Sequence, residues 1–120
     1  DPIAARLVAA GLSTDAAHLL SRCGTAVTVQ PGVPLCTEGQ YGREAFILVS
    51  GEAIVTSHDE QPRTVAVGEV IGEIAALDSS RTRTATVETT TTSVVLAYDV
   101  WTFRTLAEKF SDVLVPQRAA

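Results

Sequence analysis

The sequence predicts a mainly β fold with flanking helices, in a single domain of 120 residues. Between residues 25 and 98, short segments rich in β-branched residues follow one another at close spacing. Glycines separate these segments, as they do at the turns of antiparallel strands. The stretches on either side instead carry apolar residues at helical spacing. Together these observations are typical of a β-sandwich, a jelly roll or a small barrel.

Two short helices are predicted in residues 1–24. Gly11 is well placed to end the first helix, and Gly24 to end the second. Ser13 or Thr14 is suited to cap the start of the second helix, because its hydroxyl can accept from a free backbone N–H. The apolar residues that we expect to face the core are Ile3, Leu7, Val8, Leu19 and Leu20.

Residues 25–98 are expected to form the β region, and residues 99–120 a C-terminal helix and tail. The predicted strands are 26–29, 34–37, 45–50, 53–57, 64–67, 84–89 and 93–98. Asp99 is a plausible N-cap for a helix over 100–110. Beyond it, Pro116 leaves room for only a stub of further helix. The apolar stripe of the final helix is Val100, Phe103, Leu106, Ala107 and Phe110.

Composition excludes several classes of function. The formal net charge of −5 argues against nucleic acid as a partner, and it requires that any anionic ligand be held by local positive charge. No apolar run approaches the roughly 20 residues that span a bilayer. Asp1-Pro2 supplies no basic start for a signal peptide. The absence of methionine indicates a processed chain or a piece of a longer polypeptide.

The cysteines and histidines do not indicate a metal centre or an active site. We expect Cys23 and Cys36 to be buried free thiols of a reducing, cytoplasmic compartment, with a disulfide as the alternative. A cupin-type enzyme has a similar strand pattern but needs several His and carboxylate ligands converging on one site. His18 and His58, the only histidines, form no such pair. We therefore expect no catalysis, no metal and no cofactor.

The segment 71–87 carries the most informative chemistry. A glycine-led turn at Gly72 enters one helical turn of small and apolar residues, and a hydroxyl-rich loop follows. Gly72 and Ala75 lack large side chains, so backbone N–H groups can approach a ligand there. The start of a short helix also presents unpaired donors to an anion.

Three polar residues of this segment suit a phosphodiester attached to a sugar. Arg83 can make a bidentate, charge-assisted bond to two phosphate oxygens, and Thr84 can add a hydroxyl donor. A carboxylate would normally repel a bound phosphate. Glu73 makes sense beside one if it accepts a hydrogen bond from a neighbouring sugar hydroxyl.

The segment resembles the phosphate-binding cassette of cyclic nucleotide-binding domains. That cassette runs Gly-Glu, an apolar helical turn, a variable loop, then Arg, a small or hydroxyl residue, Ala, any residue and an aliphatic one. Gly72-Glu73 and residues 83–87 match it position by position. The stretches 31–39, 46–55 and 94–110 resemble other parts of the family's domain.

The resemblance implies a double-stranded β-helix, a jelly-roll-like β-roll, with N-terminal helices and a C-terminal helix. Within the family it points to an effector domain of the catabolite-activator type, which binds cAMP or cGMP as a regulatory switch. It implies that Glu73 holds the ribose 2′-hydroxyl and that Arg83 and Thr84 hold the cyclic phosphate. Counting back from Val87 places Arg83 at the family's arginine, whereas Arg81 falls in the variable loop. The other residues implied to line the pocket are Gly72, Ile74, Ala75, Ala85, Val55 and Ile71.

Two departures from the family pattern leave a second function open. The strand-turn-strand over 64–72 looks short, and the chain ends soon after Phe110, where the family has a long helix that covers the base. The alternative is therefore a degenerate β-roll that no longer binds nucleotide and serves as an interaction or assembly domain. The resemblance implies that Thr84 is compatible with either purine, and we expect cAMP from the bacterial-looking composition.

The expected role is regulation of another domain. No helix-turn-helix segment follows the β region, so a fused or partner effector domain would receive the signal, and this chain itself would not contact nucleic acid. We expect cassette closure on the phosphate to reposition the helix over 100–110 through its apolar stripe. The sequence does not indicate an oligomeric state.

Overall fold

A computed structural model describes residues 1–114, in which two antiparallel sheets are flanked by helices. The helices are α1 (Pro2–Ala9), α2 (Thr14–Cys23), α3 (Glu73–Leu77), α4 (Val100–Lys109) and α5 (Ser111–Leu114). The strands are β1 (Thr25–Val29), β2 (Pro34–Cys36), β3 (Glu44–Ser50), β4 (Ala53–Thr56), β5 (Arg63–Val65), β6 (Val70–Ile71), β7 (Thr86–Thr89) and β8 (Ser93–Asp99). The predicted class, mainly β with flanking helices, is confirmed.

The chain alternates between the two sheets. The first sheet has the order β1-β8-β3-β6 and the second has the order β2-β7-β4-β5. Every pairing between neighbouring strands is antiparallel. Apart from β4 and β5, which pair within the second sheet, consecutive strands fall in different sheets, and the connection from β5 to β6 crosses from the second sheet to the first. The cassette segment follows that crossing directly.

β3 is buried on both faces and divides the interior into two cores. Ala45, Ile47 and Val49 face the helices, whereas Phe46 and Leu48 face the second sheet. This division follows from the two-residue period of a strand, which sends successive side chains to opposite faces. A strand covered on both sides reads as a continuous apolar run, as β3 does.

α1 and α2 cover the outer face of the first sheet. Leu7 and Leu20 are completely buried, whereas Val8 is 40% exposed. The expectation that Val8 faces the core was therefore wrong, because the buried face of α1 is formed by Ala4 and Leu7. The hydroxyl of Tyr98 on β8 donates to the backbone carbonyl of Leu20 at 2.6 Å, which ties α2 to the sheet.

β7 begins at Thr86, two residues later than the predicted start of the strand at Thr84. The reason is a competing set of backbone hydrogen bonds. The N–H of Arg83 donates to the carbonyl of Gln40, and the carbonyl of Arg83 accepts from the N–H of Gly39. The backbone of Arg83 therefore bonds to the loop after β2, and the chain joins the sheet only at Thr86.

β5 ends at Val65, whereas we expected a strand through Val67. Residues 66–69 form a turn closed by a bond from the N–H of Glu69 to the carbonyl of Ala66. Gly68 takes a φ of +89°, which favours glycine. This turn accomplishes the crossing to β6, a two-residue strand that was not predicted.

The C-terminal helix follows the expected pattern. The Asp99 side chain accepts from the N–H of Thr102 at 2.8 Å and caps α4. Phe103, Leu106 and Ala107 are buried against the first core. α5 is the stub of further helix that we expected, while the rest of the predicted tail, including Pro116, lies outside the described residues.

Both cysteines are free thiols, as predicted, but only Cys36 is buried. Cys23 is exposed because it ends α2 at the surface, so the expectation of two buried thiols was wrong for this residue. Within residues 1–114, no helix combines the length and the apolar character that a membrane crossing requires.

Candidate functional site

Arg83 is the charged centre of the cassette, and it is buried. Only 5% of the residue is exposed. Its Nη1 donates to the carbonyl of Gly72 and its Nη2 to the carbonyl of Glu44, each at 2.9 Å. A guanidinium has five N–H donors, so these two bonds leave others unused. The structure thus holds the guanidinium in one orientation and leaves some of its N–H donors unused.

Two glycines make room for this guanidinium. A Cβ on Gly42 would lie 2.1 Å from Cζ of Arg83, and a Cβ on Gly72 would lie 2.4 Å from its Nη1. Both separations are far inside van der Waals contact, so neither position accommodates a side chain without moving the arginine. Gly72 also has a φ of +82° as the cap of α3, a conformation that favours glycine.

Glu73 opens α3 with its side chain turned inward. The residue is 2% exposed, and among the described residues its Oε2 has no hydrogen-bond partner. Burial raises the pKa of this carboxyl to about 7, with the charge of Glu69 adding to the rise and those of Arg63 and Arg83 opposing it. A buried acceptor without a partner costs free energy, so this oxygen is suited to a donor that the chain itself does not supply.

Thr84 places a second unpartnered polar atom beside Arg83. Its Oγ1 is buried and has no partner among residues 1–114. Thr84 and Arg83 both line a cavity of about 350 Å³, here named the Arg83 cavity. The other residues that line the Arg83 cavity are Glu38, Gly39, His58, Asp59, Arg81 and Thr82.

A carboxylate–histidine cluster lies at the rim of the Arg83 cavity. Nδ1 of His58 pairs with the carboxylate of Glu38, and its Nε2 lies 3.1 Å from Oδ1 of Asp59. The hydrogen bond to Glu38 and the nearby carboxylates raise the pKa of His58 above its ordinary value. The cluster connects the loop between β4 and β5 to the loop after β2. Within the described part of the chain, no group of His, Cys, Asp and Glu is arranged to hold a metal ion.

The other residues that we predicted to line the site lie around it in different ways. Val55, Ile71 and Ala85 pack in the second core together with Cys36. Ile74 is half-buried in α3. Ala75 is buried and lines a separate cavity between α3 and α4. Arg81 is exposed and lines the Arg83 cavity.

Sequence reasoning missed three contributors to the site. Gly42 and the backbone carbonyl of Glu44 hold the arginine, and Glu38 contributes to the cavity rim. The pair of glycines at 39 and 42, just before a strongly apolar strand, was the available clue to a close backbone approach. No sequence feature indicated that the carbonyl of Glu44, rather than its side chain, would take part.

The comparison with protein families agrees with this geometry. The model of the cyclic nucleotide-binding domain matches residues 26–110. Over 99 residues the chain is 31% identical to the Pycsar effector protein PaPycTIR of Pseudomonas aeruginosa, a match that covers 82% of this chain and 32% of that protein. Over 72 residues it is 38% identical to a cGMP-dependent protein kinase of Eimeria tenella, covering 59% of this chain and 7% of the kinase. The chain thus spans about a third or less of these curated relatives.

Solved structures show the same fold. PKAR CBD2 bound to Sp-2Cl-cAMPS superposes with a TM-score of 0.76 at 23% identity, over 95% of this chain and 77% of that chain. The catabolite activator protein of Thermus thermophilus superposes with a TM-score of 0.66 at 24% identity, over 90% of this chain and 52% of that one. Fold and family model agree, and the chain belongs to the cyclic nucleotide-binding domain family.

Proposed function

We propose that this chain binds a cyclic nucleotide, preferentially cAMP, and passes the occupancy of the site to an effector domain. The proposal rests on one arrangement of buried polar groups. The guanidinium of Arg83 has unused donors and lies next to the hydroxyl of Thr84, which has no partner among the described residues. Oε2 of Glu73 is also buried without a partner there, and it lies within reach of the charge of Arg83. In this proposal Arg83 and Thr84 bind the cyclic phosphate and Glu73 accepts from the ribose 2′-hydroxyl.

Charge supports this division of roles. The guanidinium of Arg83 carries one positive charge, so it can neutralise the single negative charge of a cyclic phosphodiester. With a pKa near 7, Glu73 is partly neutral before the ligand arrives, which limits its repulsion of the phosphate. In the proposed complex, the sugar hydroxyl supplies the donor that Oε2 lacks.

The remaining predicted residues complete the proposal. Gly72 and the backbone at Ile74 and Ala75 allow close approach to the ligand, and Ala85 follows Thr84 without obstructing it. Val55 and Ile71 contribute the apolar wall towards the sugar and base. Members of this family are regulatory binding modules, so we propose that the chain has no catalytic activity of its own.

Calorimetric titration with cAMP and cGMP tests the proposal. Arg83 also stabilises the fold, so the most informative variants keep the shape of the side chain: Thr84→Val removes the hydroxyl donor, and Glu73→Gln replaces the charged acceptor by a weaker, neutral one. We expect each substitution to weaken binding about 10-fold or more, the equivalent of a hydrogen bond to a charged group. Thr28→Val, on the exposed face of β1, is the matched control.

The same titration addresses the alternative function. If neither nucleotide binds the unaltered chain at millimolar concentration, the chain is a β-roll without a nucleotide ligand. If binding occurs but Thr84→Val and Glu73→Gln leave it unchanged, the ligand occupies a different place and the proposed roles are wrong.

The preference for cAMP is the finer part of the proposal. It agrees with neighbouring structures such as PKAR CBD2, which holds a cAMP analogue, and cAMP-bound PfPKA-R. The relation to a cGMP-dependent protein kinase and the free hydroxyl of Thr84 favour cGMP as the second candidate. Tighter binding of cGMP than of cAMP in the titration would reverse the preference.

The proposed effector coupling rests on the relatives. The chain corresponds to a third of an effector protein and to a small part of a kinase, so in those proteins the matching segment accompanies other domains. We propose the same arrangement here, in the cytoplasm, where cyclic nucleotides are available.

A further inference from the structure

A second concave surface lies between α3 and α4 and shares no lining residue with the Arg83 cavity. Here a concavity of about 170 Å³ opens to solvent. It is smaller than the roughly 300–1,000 Å³ of typical small-molecule pockets, so it fits a single side chain better than a nucleotide. We name it the Trp101 surface; the residues that form it include Arg43, Ala75, Ser79, Val100, Trp101 and Arg104.

An exposed tryptophan dominates this surface. Trp101 is 69% exposed, although it is the largest side chain in the protein. Cζ of Arg104 lies 5.5 Å from the centroid of the Trp101 ring, a cation–π distance. Stacking of this kind leaves the in-plane N–H groups of the guanidinium free to bond a carboxylate. Tryptophan and arginine are also the residues most enriched among the hot spots of protein interfaces.

Within the described part of the chain, no ion pair neutralises the positive charge of the Trp101 surface. Among residues 1–114, the ion pairs join His58 to Glu38 and Asp59, and Arg63 to Glu69. Neither Arg43 nor Arg104 takes part in one of them, and the arginines whose guanidinium donates a hydrogen bond to another described residue are Arg63 and Arg83.

Two nearby carboxylates are already engaged. Asp78, whose pKa is lowered mainly by hydrogen bonds from Ser80 and more weakly by Arg81 and Arg104, bonds to Ser80. Asp99 caps α4 by accepting from Thr102. Two unpaired arginines therefore face one concavity in a chain whose net charge is −5.

We propose that the Trp101 surface docks an acidic segment of a partner protein or domain, with one Asp or Glu side chain of that segment entering the concavity. The carboxylate bonds to Arg43 and Arg104, and neighbouring aliphatic groups of the segment cover the indole of Trp101. Charge complementarity selects this occupant, because a basic segment would be repelled by both arginines and a neutral one would leave them unpaired.

Trp101 is the only tryptophan in the chain, so its fluorescence reports directly on this surface. The test titrates the chain, without nucleotide, with a capped peptide of four consecutive glutamates and separately with its glutamine counterpart. We expect a saturable change in Trp101 emission with the glutamate peptide alone. Arg43→Gln and Arg104→Gln should each weaken the response at least 10-fold, whereas Arg22→Gln, which removes an exposed arginine at the end of α2, should leave it unchanged.

Three results would overturn the proposal. The first is the absence of a saturable change in Trp101 emission up to millimolar glutamate peptide. The second is a loss of specificity, in which the glutamine peptide gives an equal emission change or both arginine variants respond like the unaltered chain. The third is an emission change that depends on protein concentration alone, which would assign the surface to a second copy of the chain. Circular dichroism of each variant verifies that it is folded. Because no nucleotide is present, this experiment and the calorimetric titration can fail independently.

Discussion

At the residue scale, the centre of the cassette holds two buried ionisable groups that do not bond to each other. Arg83 binds two backbone carbonyls, and Oε2 of Glu73 binds nothing among the described residues. Charged groups are seldom buried without a partner, because removing a charge from water costs free energy that a partner is needed to offset. Unsatisfied groups of this kind concentrate at functional sites. The local cost to stability is therefore consistent with a ligand-binding role.

The first prediction concerns the pH dependence that Glu73 imposes on stability. Its pKa rises from an ordinary 4.5 to about 7 on folding, so the folded chain binds more protons than the unfolded one between these values. The free energy of unfolding should therefore fall as pH rises through this window, by roughly 3 kcal/mol from this group. Glu73→Gln should abolish that loss, so denaturant unfolding should show the variant gaining on the unaltered chain from pH 5 to pH 8.

Ionisations elsewhere in the chain cancel in this difference, since both proteins share them. Glu88→Gln is the control, because it removes an exposed carboxyl on β7 that is not among the charges acting on Glu73. A difference between the Glu73→Gln variant and the unaltered chain that stays constant from pH 5 to pH 8 would show that the Glu73 carboxyl titrates normally.

The second prediction concerns Gly42. A methyl group there would lie 2.1 Å from both Cζ and Nε of Arg83 and would displace the guanidinium. We expect Gly42→Ala to cost about 1–3 kcal/mol of stability through the loss of charge-assisted bonds, and to weaken nucleotide binding at least 10-fold. Thermal unfolding and calorimetry measure the two effects.

A double-mutant cycle isolates the cause. If Gly42→Ala acts by moving Arg83, its effect should largely disappear in a background that carries Arg83→Lys. Strict additivity of the two substitutions would mean that Gly42 matters for the backbone and not for the arginine.

At the scale of elements, the cassette is a short helix between a two-residue strand and an irregular loop. Such pieces have little stability of their own, because a helix of five residues cannot repay the cost of its nucleation. α3 is instead held by its neighbours: Ala75 and Ala76 are buried, and α4 packs beside it. The stability of α4 therefore bears on the shape of the site.

The third prediction concerns the cap of α4. Asp99→Ala removes the acceptor for the N–H of Thr102 and should lower the melting temperature by a few degrees at neutral pH. Hydrogen bonds from Thr102 lower the pKa of Asp99, so its contribution is present above the ordinary pKa and is lost as pH falls through the folded value. The difference in melting temperature between the variant and the unaltered chain should shrink in acid.

Asp99→Asn is the matched comparison, because asparagine is an equally good cap without the titratable charge. It should retain most of the neutral-pH stability. If alanine and asparagine at this position destabilise equally, the hydrogen bond to Thr102 is not what stabilises α4.

At the scale of the whole molecule, the two hydrophobic cores join different parts of the chain. The core between the sheets includes Ile71, Ala85 and Val87 of the cassette segment. The core under the helices joins α1, α2 and α4 to the opposite face of the same sheet. A packed interior resists gradual deformation. We therefore expect a structural change at the cassette to move the parts of the chain where packing is least complete. The concavity between α3 and α4 is such a place.

The fourth prediction follows from that arrangement. Saturation with cyclic nucleotide should change the amide hydrogen-exchange protection of α4, because α3 begins at Glu73, the proposed ribose contact, and packs against α4. Exchange measured by mass spectrometry, with and without nucleotide, tests this, and β1 on the far edge of the first sheet serves as the internal reference. Nucleotide binding with equal protection of α4 in both states would show that the signal leaves the domain by another route.

Local chemistry explains which parts of this fold the sequence determined by itself. The conformation of glycine turns, β-branched runs and the apolar stripe of α4 depends mainly on residues nearby in sequence. Most strands and the Asp99 cap were therefore predictable from local sequence alone. The cassette was recognisable for the same reason, since Glu73 and the arginine follow one another within a single short segment. The class of fold was therefore predictable from sequence, and so was the segment proposed to form the site.

Only the tertiary structure decided how the site is built. Loops distant in sequence meet there: the carbonyl of Glu44 and the small volume of Gly42 hold Arg83, and Glu38 meets His58 across the cavity. The long-range bonds of the Arg83 backbone to Gly39 and Gln40 also shortened β7, and the turn that crosses between the sheets ended β5 early. Hydrogen-bond partners and excluded volume depend on where separate segments meet in space, and local residue patterns do not contain that information.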